Sequence, residues 1–217
     1  MSKISLEKNE EYWDGFYKDL SLSVPSQFCA MVAVEAPKNS AIIEFGCGNG
    51  RDSLYFLSQG FTVAAVDLSE EAILSCSRKA RAREYGKVEF QVGSLAKDED
   101  IKALFEGARR LSEDGQIIGY SRFVMHSIND EQEEAFLTSL SSAMQAGEKV
   151  YLEFRSKEDA ELDKTFGNHY RRFVDTDKFV KSMTDKGFKS LYGITGQGMA
   201  KYKDEDPFVS RLIFEKI

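Results

Sequence analysis

Cysteine, histidine and basic charge are all scarce in this sequence, and each shortage removes a class of protein. The three cysteines, Cys29, Cys47 and Cys76, form no C-x-x-C pair, so neither a disulfide framework nor a thiolate metal site is expected. Histidine occurs only as His126 and His169, and no His, Asp and Glu cluster has ligand spacing; no metal is expected. Lys and Arg total 29 against 36 Asp and Glu, a net charge of -7, which disfavours non-specific binding to nucleic acid or to an anionic membrane. No apolar run approaches the roughly 18 to 20 residues that span a bilayer. Residues 1–8 lack the apolar core of a signal peptide, so the expected location is cytoplasmic. Neither an internal repeat nor a low-complexity segment is present. At 217 residues, a single domain over 1–217 is expected, large enough for a sheet covered on both faces.

What the chain does have is the run Ile42-Ile43-Glu44-Phe45-Gly46-Cys47-Gly48-Asn49-Gly50-Arg51, in which an apolar stretch containing an acid opens into three spaced glycines. The apolar part predicts the first strand of a parallel sheet, and the glycines predict a sharp turn into a helix starting near Arg51. Glycine takes positive φ cheaply and lets a ligand lie against bare backbone. The N–H groups and partial positive charge of a helix N-terminus suit a carboxylate or phosphate. A dinucleotide fingerprint is spaced G-x-G-x-x-G, whereas here the spacing is G-x-G-x-G, preceded by Glu44. Further on, Phe61-Thr62-Val63-Ala64-Ala65-Val66-Asp67 predicts a second buried strand, ending 21 residues after Gly46 in an acid. An acid there is placed to accept hydrogen bonds from two ribose hydroxyls. Together the two stretches specify an adenosine-containing ligand.

These residues resemble the class I S-adenosylmethionine (SAM)-dependent methyltransferases of small-molecule type, whose motifs take the form E/D-x-G-x-G-x-G followed by an acidic end to the second strand. Residues 44–50 match that pattern position by position, and Asp67 matches the ribose acid. The resemblance implies SAM as cofactor, held by Glu44, Gly46, Cys47, Gly48, Asn49, Gly50, Arg51, Asp67 and Leu68, with Ser121 at the end of the fourth strand. In that family an acid commonly follows the third strand and holds the adenine amino group. Here the position is Ser94, so the contact is expected from its hydroxyl, from the Leu95 backbone or from Asp98 nearby. The turn is also similar to that of tellurite-resistance and thiopurine methyltransferases, which act on small molecules.

Elsewhere the pattern alternates strand and helix. Helices are expected over 26–34, from Arg51 to a stop at Gly60, from an N-cap at Ser69 to Tyr85 with Gly86 as its stop, over 98–111, from the acids at 130–134 through Met144, and around Phe179 to Gly187. Strands are expected over 88–92, 116–121, 149–154, 191–195 and 208–215. Repeating strand–helix units closed by two successive strands imply an α/β fold: a doubly wound, mostly parallel seven-stranded sheet with an antiparallel edge hairpin, Rossmann-like. Residues 1–40 carry the leading helices, where Tyr12, Trp13 and Tyr17 either pack on the domain or form a lid over the substrate. The basic run at 78–83 is expected to be a solvated helix face.

Ligands on such sheets bind beyond the carboxyl ends of the strands, so acceptor chemistry should come from the ends of the fourth and fifth strands and from the polar excursion at 155–175. Histidine suits removal of a proton near neutral pH. His126 is therefore the first candidate base, with His169 and Glu153 as further candidates. Arg122, Arg155, Tyr170 and Arg171 are expected to contact the acceptor, the arginines by holding an anion. Glu153 and Arg155 fall on one side of their strand, where a mutual salt bridge is the alternative. The expected reaction is methyl transfer to a small polar acceptor, an oxygen of a sugar, a glycan end or a carboxylated metabolite. Two alternatives stand beside it, a nicotinamide-dependent oxidoreductase and a non-catalytic SAM-binding regulatory module.

Overall fold

A computed structural model describes residues 24–112, 115–162 and 170–217. Tyr12, Trp13, Tyr17 and His169 lie outside the described residues. Helix α1 (Gln27–Glu35) precedes strand β1 (Ala41–Phe45) and helix α2 (Arg51–Ser58). Strand β2 (Thr62–Asp67), α3 (Glu70–Ala82), β3 (Val88–Val92) and α4 (Asp98–Leu111) follow. Next come β4 (Ile117–Arg122), α5 (Asp130–Ala143), β5 (Lys149–Arg155) and a short 3-10 turn (Lys157–Glu161). Helix α6 (Thr176–Asp185) leads to the closing strands β6 (Phe188–Gly196) and β7 (Val209–Lys216).

The seven strands lie in the order β3-β2-β1-β4-β5-β7-β6. β3, β2, β1, β4 and β5 run parallel, and β7 enters antiparallel between β5 and β6. This is the expected doubly wound sheet with its antiparallel hairpin. Alternation along the central strands divides the core in two. Ile43, Phe45, Ala64, Val66 and Leu152 face α4, α5 and α6, where Leu104, Phe136 and Phe179 pack on them. Ile42, Val63, Ala65 and Tyr120 face α1, α2 and α3, against Phe28, Leu54 and Cys76. Every residue of β1 is buried, as expected of a central parallel strand.

Local chemistry sets the helix ends. Ser26 caps α1 by accepting from the Cys29 N–H at 2.9 Å, and Ser69 caps α3 by accepting from the Ala72 N–H at 3.2 Å. Asn129 and Gln132 close a reciprocal capping box at the start of α5. The stop of α3 comes earlier than Gly86. Glu84 takes a left-handed φ of 56°, and the Glu84 and Tyr85 N–H groups donate to the Arg81 and Ala80 carbonyls at 3.0 and 3.1 Å. That pair of bonds satisfies the last carbonyls of the helix without a glycine. β6 likewise begins earlier than expected, at Phe188, with an irregularity between Ser190 and Tyr192.

The ring of Phe136 meets Phe45 edge-on at 5.0 Å beneath the turn that follows β1. Phe136→Ala is expected to cost about 3–5 kcal/mol of stability, read as a lowered urea midpoint with an unchanged denaturant slope.

Candidate active site

The turn between β1 and α2 depends on its glycines. Gly46, Gly48 and Gly50 have φ of 77°, 53° and 76°, all in the left-handed region. A Cβ on Gly46 would lie 2.3 Å from Val124 Cγ2, and one on Gly50 2.6 Å from Cys76 Sγ, so only bare backbone fits. The turn is tied to β2 because the Gly46 and Cys47 N–H groups both donate to the Val66 carbonyl, at 2.8 and 3.0 Å. Asp67, at the end of β2, accepts the Gly48 N–H at 2.7 Å through one oxygen and the Ser69 N–H at 3.0 Å through the other. Each carboxylate oxygen can accept more than one bond, so this anchoring leaves capacity for a diol. Leu68 beside it is half exposed, at 49%. Asn49 Oδ1 accepts the Arg51 N–H at 3.3 Å, and its carbonyl accepts from Lys79 at 3.0 Å.

Beneath the turn lie two buried acids with opposite tendencies. Asp52, in the first turn of α2, accepts from the Ser26 N–H at 2.8 Å, the Ser26 hydroxyl at 2.7 Å and the Tyr120 hydroxyl at 2.7 Å. Burial alone would raise its pKa, but Arg51, Arg122 and the Ser26 bonds outweigh burial and hold it below the usual value. Glu44 accepts from the Ser53 hydroxyl. Burial and the nearby Asp52 charge push its pKa well above the carboxylate range, more than Ser53 lowers it. The same buried setting therefore favours the charged form of Asp52 and the protonated form of Glu44.

Cys47 and Cys76 touch across the same turn, where each thiol is free of a disulfide. The Cys76 hydrogen bond and burial push the Cys47 thiol well up, so it is no thiolate nucleophile. At the expected adenine position, the Ser94 N–H donates to Asp100 at 2.8 Å, while its hydroxyl accepts the Ala96 N–H at 3.2 Å. Asp98 instead pairs with Lys102 at 2.6 Å on the exposed face of α4. Leu95 packs on the core at its edge. The Ser121 hydroxyl donates to the Phe45 carbonyl at 3.1 Å, which joins the ends of β4 and β1.

Beyond β4 and β5 stands a second group of charges. Glu153 accepts from Arg122 at 2.8 Å and from Arg211 of β7 at 2.6 Å. Arg155 pairs elsewhere: its guanidinium meets Asp159 at 2.7 Å and also Glu205. His126 is buried, and its Nδ1 accepts the Arg155 N–H at 3.3 Å. In that tautomer the other ring nitrogen carries the hydrogen. Arg172 bridges Asp130 and Glu133 at the start of α5 and donates to the Met125 carbonyl at 3.0 Å. Tyr170, half-buried, sits within the field of Arg172 and Asp130. Arg171 is half-buried beside them. Sequence reading did not single out Asp52, Tyr120, Arg211, Asp159 or Glu205. An acid in the first turn of α2 was a usable signal for Asp52; Arg211 shows only when β7 is laid against β5.

Residues 42–147 match the family model described as a methyltransferase domain. Over these residues the chain is identified with the SAM-dependent methyltransferases. It is 32% identical over 120 residues to the O-antigen chain terminator bifunctional methyltransferase/kinase WbdD of Escherichia coli, a match covering 54% of this chain and 16% of that relative's length. A solved SAM-dependent methyltransferase from Anabaena variabilis shares the fold with a TM-score of 0.71 and 20% identity, over 99% of this chain and 96% of that one. The glycopeptide N-methyltransferase MtfA complexed with SAM has a TM-score of 0.66 at 13% identity, over 92% and 90% of the two chains.

The turn fits SAM, the cofactor of those methyltransferases, rather than a nicotinamide dinucleotide. Left-handed glycines leave backbone bare at the mouth of the cradle, and the Asp67 carboxylate is held against it by the Gly48 N–H. Asp67→Ala should weaken SAM binding by about 1.5–3 kcal/mol, the scale of hydrogen bonds to a charged group, as measured by calorimetric titration. A second expectation concerns Glu44. Because the folded protein holds its proton more tightly than the unfolded chain, raising pH through and above the ordinary carboxylate range removes stability. Glu44→Gln should therefore be more stable than wild type at about pH 8, with the gap closing toward about pH 4, where the acid is protonated in both states. Urea unfolding at the two pH values reads this directly.

Proposed function

We propose that this protein transfers a methyl group from SAM to an oxygen of a small polar acceptor: a sugar, a glycan end or a carboxylated metabolite. The observation carrying the reading is that the glycine cradle opens beside a wall of buried, mutually paired charge at the ends of β4 and β5, Arg122, Glu153 and Arg211, which suits a polar acceptor better than an apolar one. Similarity to an O-antigen chain terminator supports the glycan-end form of the reading. The site of action is the cytoplasm, a location consistent with the net acidic charge; among the described residues no helix is long and apolar enough to cross a membrane.

When bound, SAM supplies a methyl group on an already activated sulfonium. The chain's own contribution is placement. We assign the cofactor side to Glu44, Gly46, Cys47, Gly48, Asn49, Gly50, Arg51, Asp67, Leu68, Ser94, Leu95 and Ser121.

 In that set Leu95 contributes through its backbone. Arg51 at the head of α2 suits the carboxylate end of the cofactor, and the neutral Glu44 regains its charge beside an ammonium group. On the acceptor side, His126 in the tautomer set by Arg155 is a hydrogen-bond donor that orients the acceptor oxygen. Glu153, with both oxygens engaged by arginines, braces them and leaves proton removal to solvent or to His169. Exclusion of water and in-line approach account for the rate gain.

The test is release of S-adenosylhomocysteine, followed by mass spectrometry, from SAM and a panel of sugars, glycan fragments and carboxylated metabolites. Turnover confined to oxygen acceptors is expected, and His126→Gln should retain a measurable part of it. Turnover only with amines or thiols would sink the oxygen assignment, and SAM binding without turnover on any acceptor class would favour a regulatory module.

A further inference from the structure

The arginines at the strand ends are not matched evenly to carboxylates. Arg155 meets two, Asp159 and Glu205, and Arg172 meets two, Asp130 and Glu133. Among the described residues, Arg122 and Arg211 pair with one carboxylate, Glu153. The three stand in register on adjacent strands, Arg122 opposite Glu153 and Glu153 opposite Arg211. Both guanidinium groups reach Glu153 through Nε, at 2.8 and 2.6 Å. Arg211 Nη2 also donates to the Met199 carbonyl at 2.7 Å. The side chains of Arg122 and Arg211 are 17% and 10% accessible, with little water to screen them. Asp52 also draws on Arg122, but it pairs with Arg51 at 3.3 Å, so Arg51, Arg122 and Arg211 together face the two anions Asp52 and Glu153. A buried charge without a partner is costly, and this arrangement is short of one negative charge.

The guanidinium planes are also held. The Phe123 ring lies 4.0 Å from Arg122 Cζ, and the Phe28 ring lies 5.3 Å from Arg211 Cζ, positions that favour a cation over an aromatic face. Phe123 has φ of 63°, a left-handed conformation that a bulky side chain seldom adopts. Its strain is the cost of placing that ring on Arg122.

We infer that Arg122 and Arg211, braced by Glu153, form an anion clamp for a carboxylate or phosphate group of the methyl acceptor. Position favours the acceptor over the cofactor's own carboxylate. Phe45 pairs with Ser121, so the next step along the parallel register sets Gly46 of the cofactor turn beside Arg122. Arg211 lies two strands farther out, about 10 Å from β4 at ordinary strand spacing. An anion met by the two guanidinium groups beside Glu153 is anchored on the β5–β7 side of the cradle while the rest of a small acceptor reaches back toward it. The inference rests on the methyl-transfer reading only for which molecule carries the anion.

The full chain is first titrated with S-adenosylhomocysteine, and the saturated complex is then titrated calorimetrically with glucuronate, glucose 6-phosphate and glucose. A charged sugar is expected to bind where glucose does not, the stronger of the two charged probes naming carboxylate or phosphate. Arg211→Lys keeps the charge but loses the fork, and should weaken that binding about ten- to a hundredfold with affinity for S-adenosylhomocysteine unchanged. Three results would overturn the clamp: no charged probe binding better than glucose, equal binding by wild type and Arg211→Lys, or anion binding that S-adenosylhomocysteine displaces. The last would assign these arginines to the cofactor's carboxylate. Should Arg211→Lys fail to fold by circular dichroism, Arg122→Lys and the charged-against-neutral contrast in wild type decide the matter. Absence of S-adenosylhomocysteine binding would count against the methyl-transfer reading alone, and the same sugars titrated into the unliganded protein would still report on the clamp.

Discussion

The carboxylate of Asp52 holds the cofactor side of this molecule together. It belongs to α2, yet it takes hydrogen bonds from Ser26 at the cap of α1 and from Tyr120 in β4. Three elements distant in sequence therefore meet on one buried anion. Because α2 starts directly after the glycine turn, its first residues cannot shift without breaking those bonds. The turn is thus fixed from below by Asp52 and from the side by Asp67, which grips the Gly48 N–H. A buried charge is tolerable only with such partners, and the Ser26 and Tyr120 groups would in turn be left unsatisfied without it.

That anion also sets the state of its neighbour. Glu44 shares the buried space with Asp52 and cannot easily carry a second negative charge there. Two carboxylates in one setting thereby divide into one whose charged form is favoured and one whose protonated form is favoured, the latter able to respond to an arriving cation. The cost in stability falls where the ligand is to bind, a common arrangement in sites that trade stability for function.

A different rule governs the opposite side of the cleft. There the charges occur in groups fixed by strand register: Arg122, Glu153 and Arg211 across β4, β5 and β7, and Arg155 with Asp159 and Glu205 just beyond. The insertion of β7 between β5 and β6 is what brings Arg211 to this wall. A hairpin added at the sheet edge in chain order would have left it elsewhere. The aromatic rings of Phe28 and Phe123 complete the wall by fixing the guanidinium planes.

Much of this was legible in the chain and some was not. The strand at 42–45, the glycine turn and the acid at Asp67 lie within 26 residues, so local periodicity and spacing sufficed to read the cradle and the parallel sheet. The early stop of α3 escaped notice because Glu84, rather than a glycine, takes the left-handed position. Alternation assigns Glu153 and Arg155 to one side of β5, but it could not show that each pairs with other residues. The sequence by itself determined the order of elements, the burial of the central strands and the cofactor turn, because each rests on interactions between near neighbours. Tertiary structure alone decided which charge meets which: Asp52 and Tyr120 are 68 residues apart, and Glu153 and Arg211 are 58 apart. Such pairings follow from sheet order and register, and no local pattern encodes them.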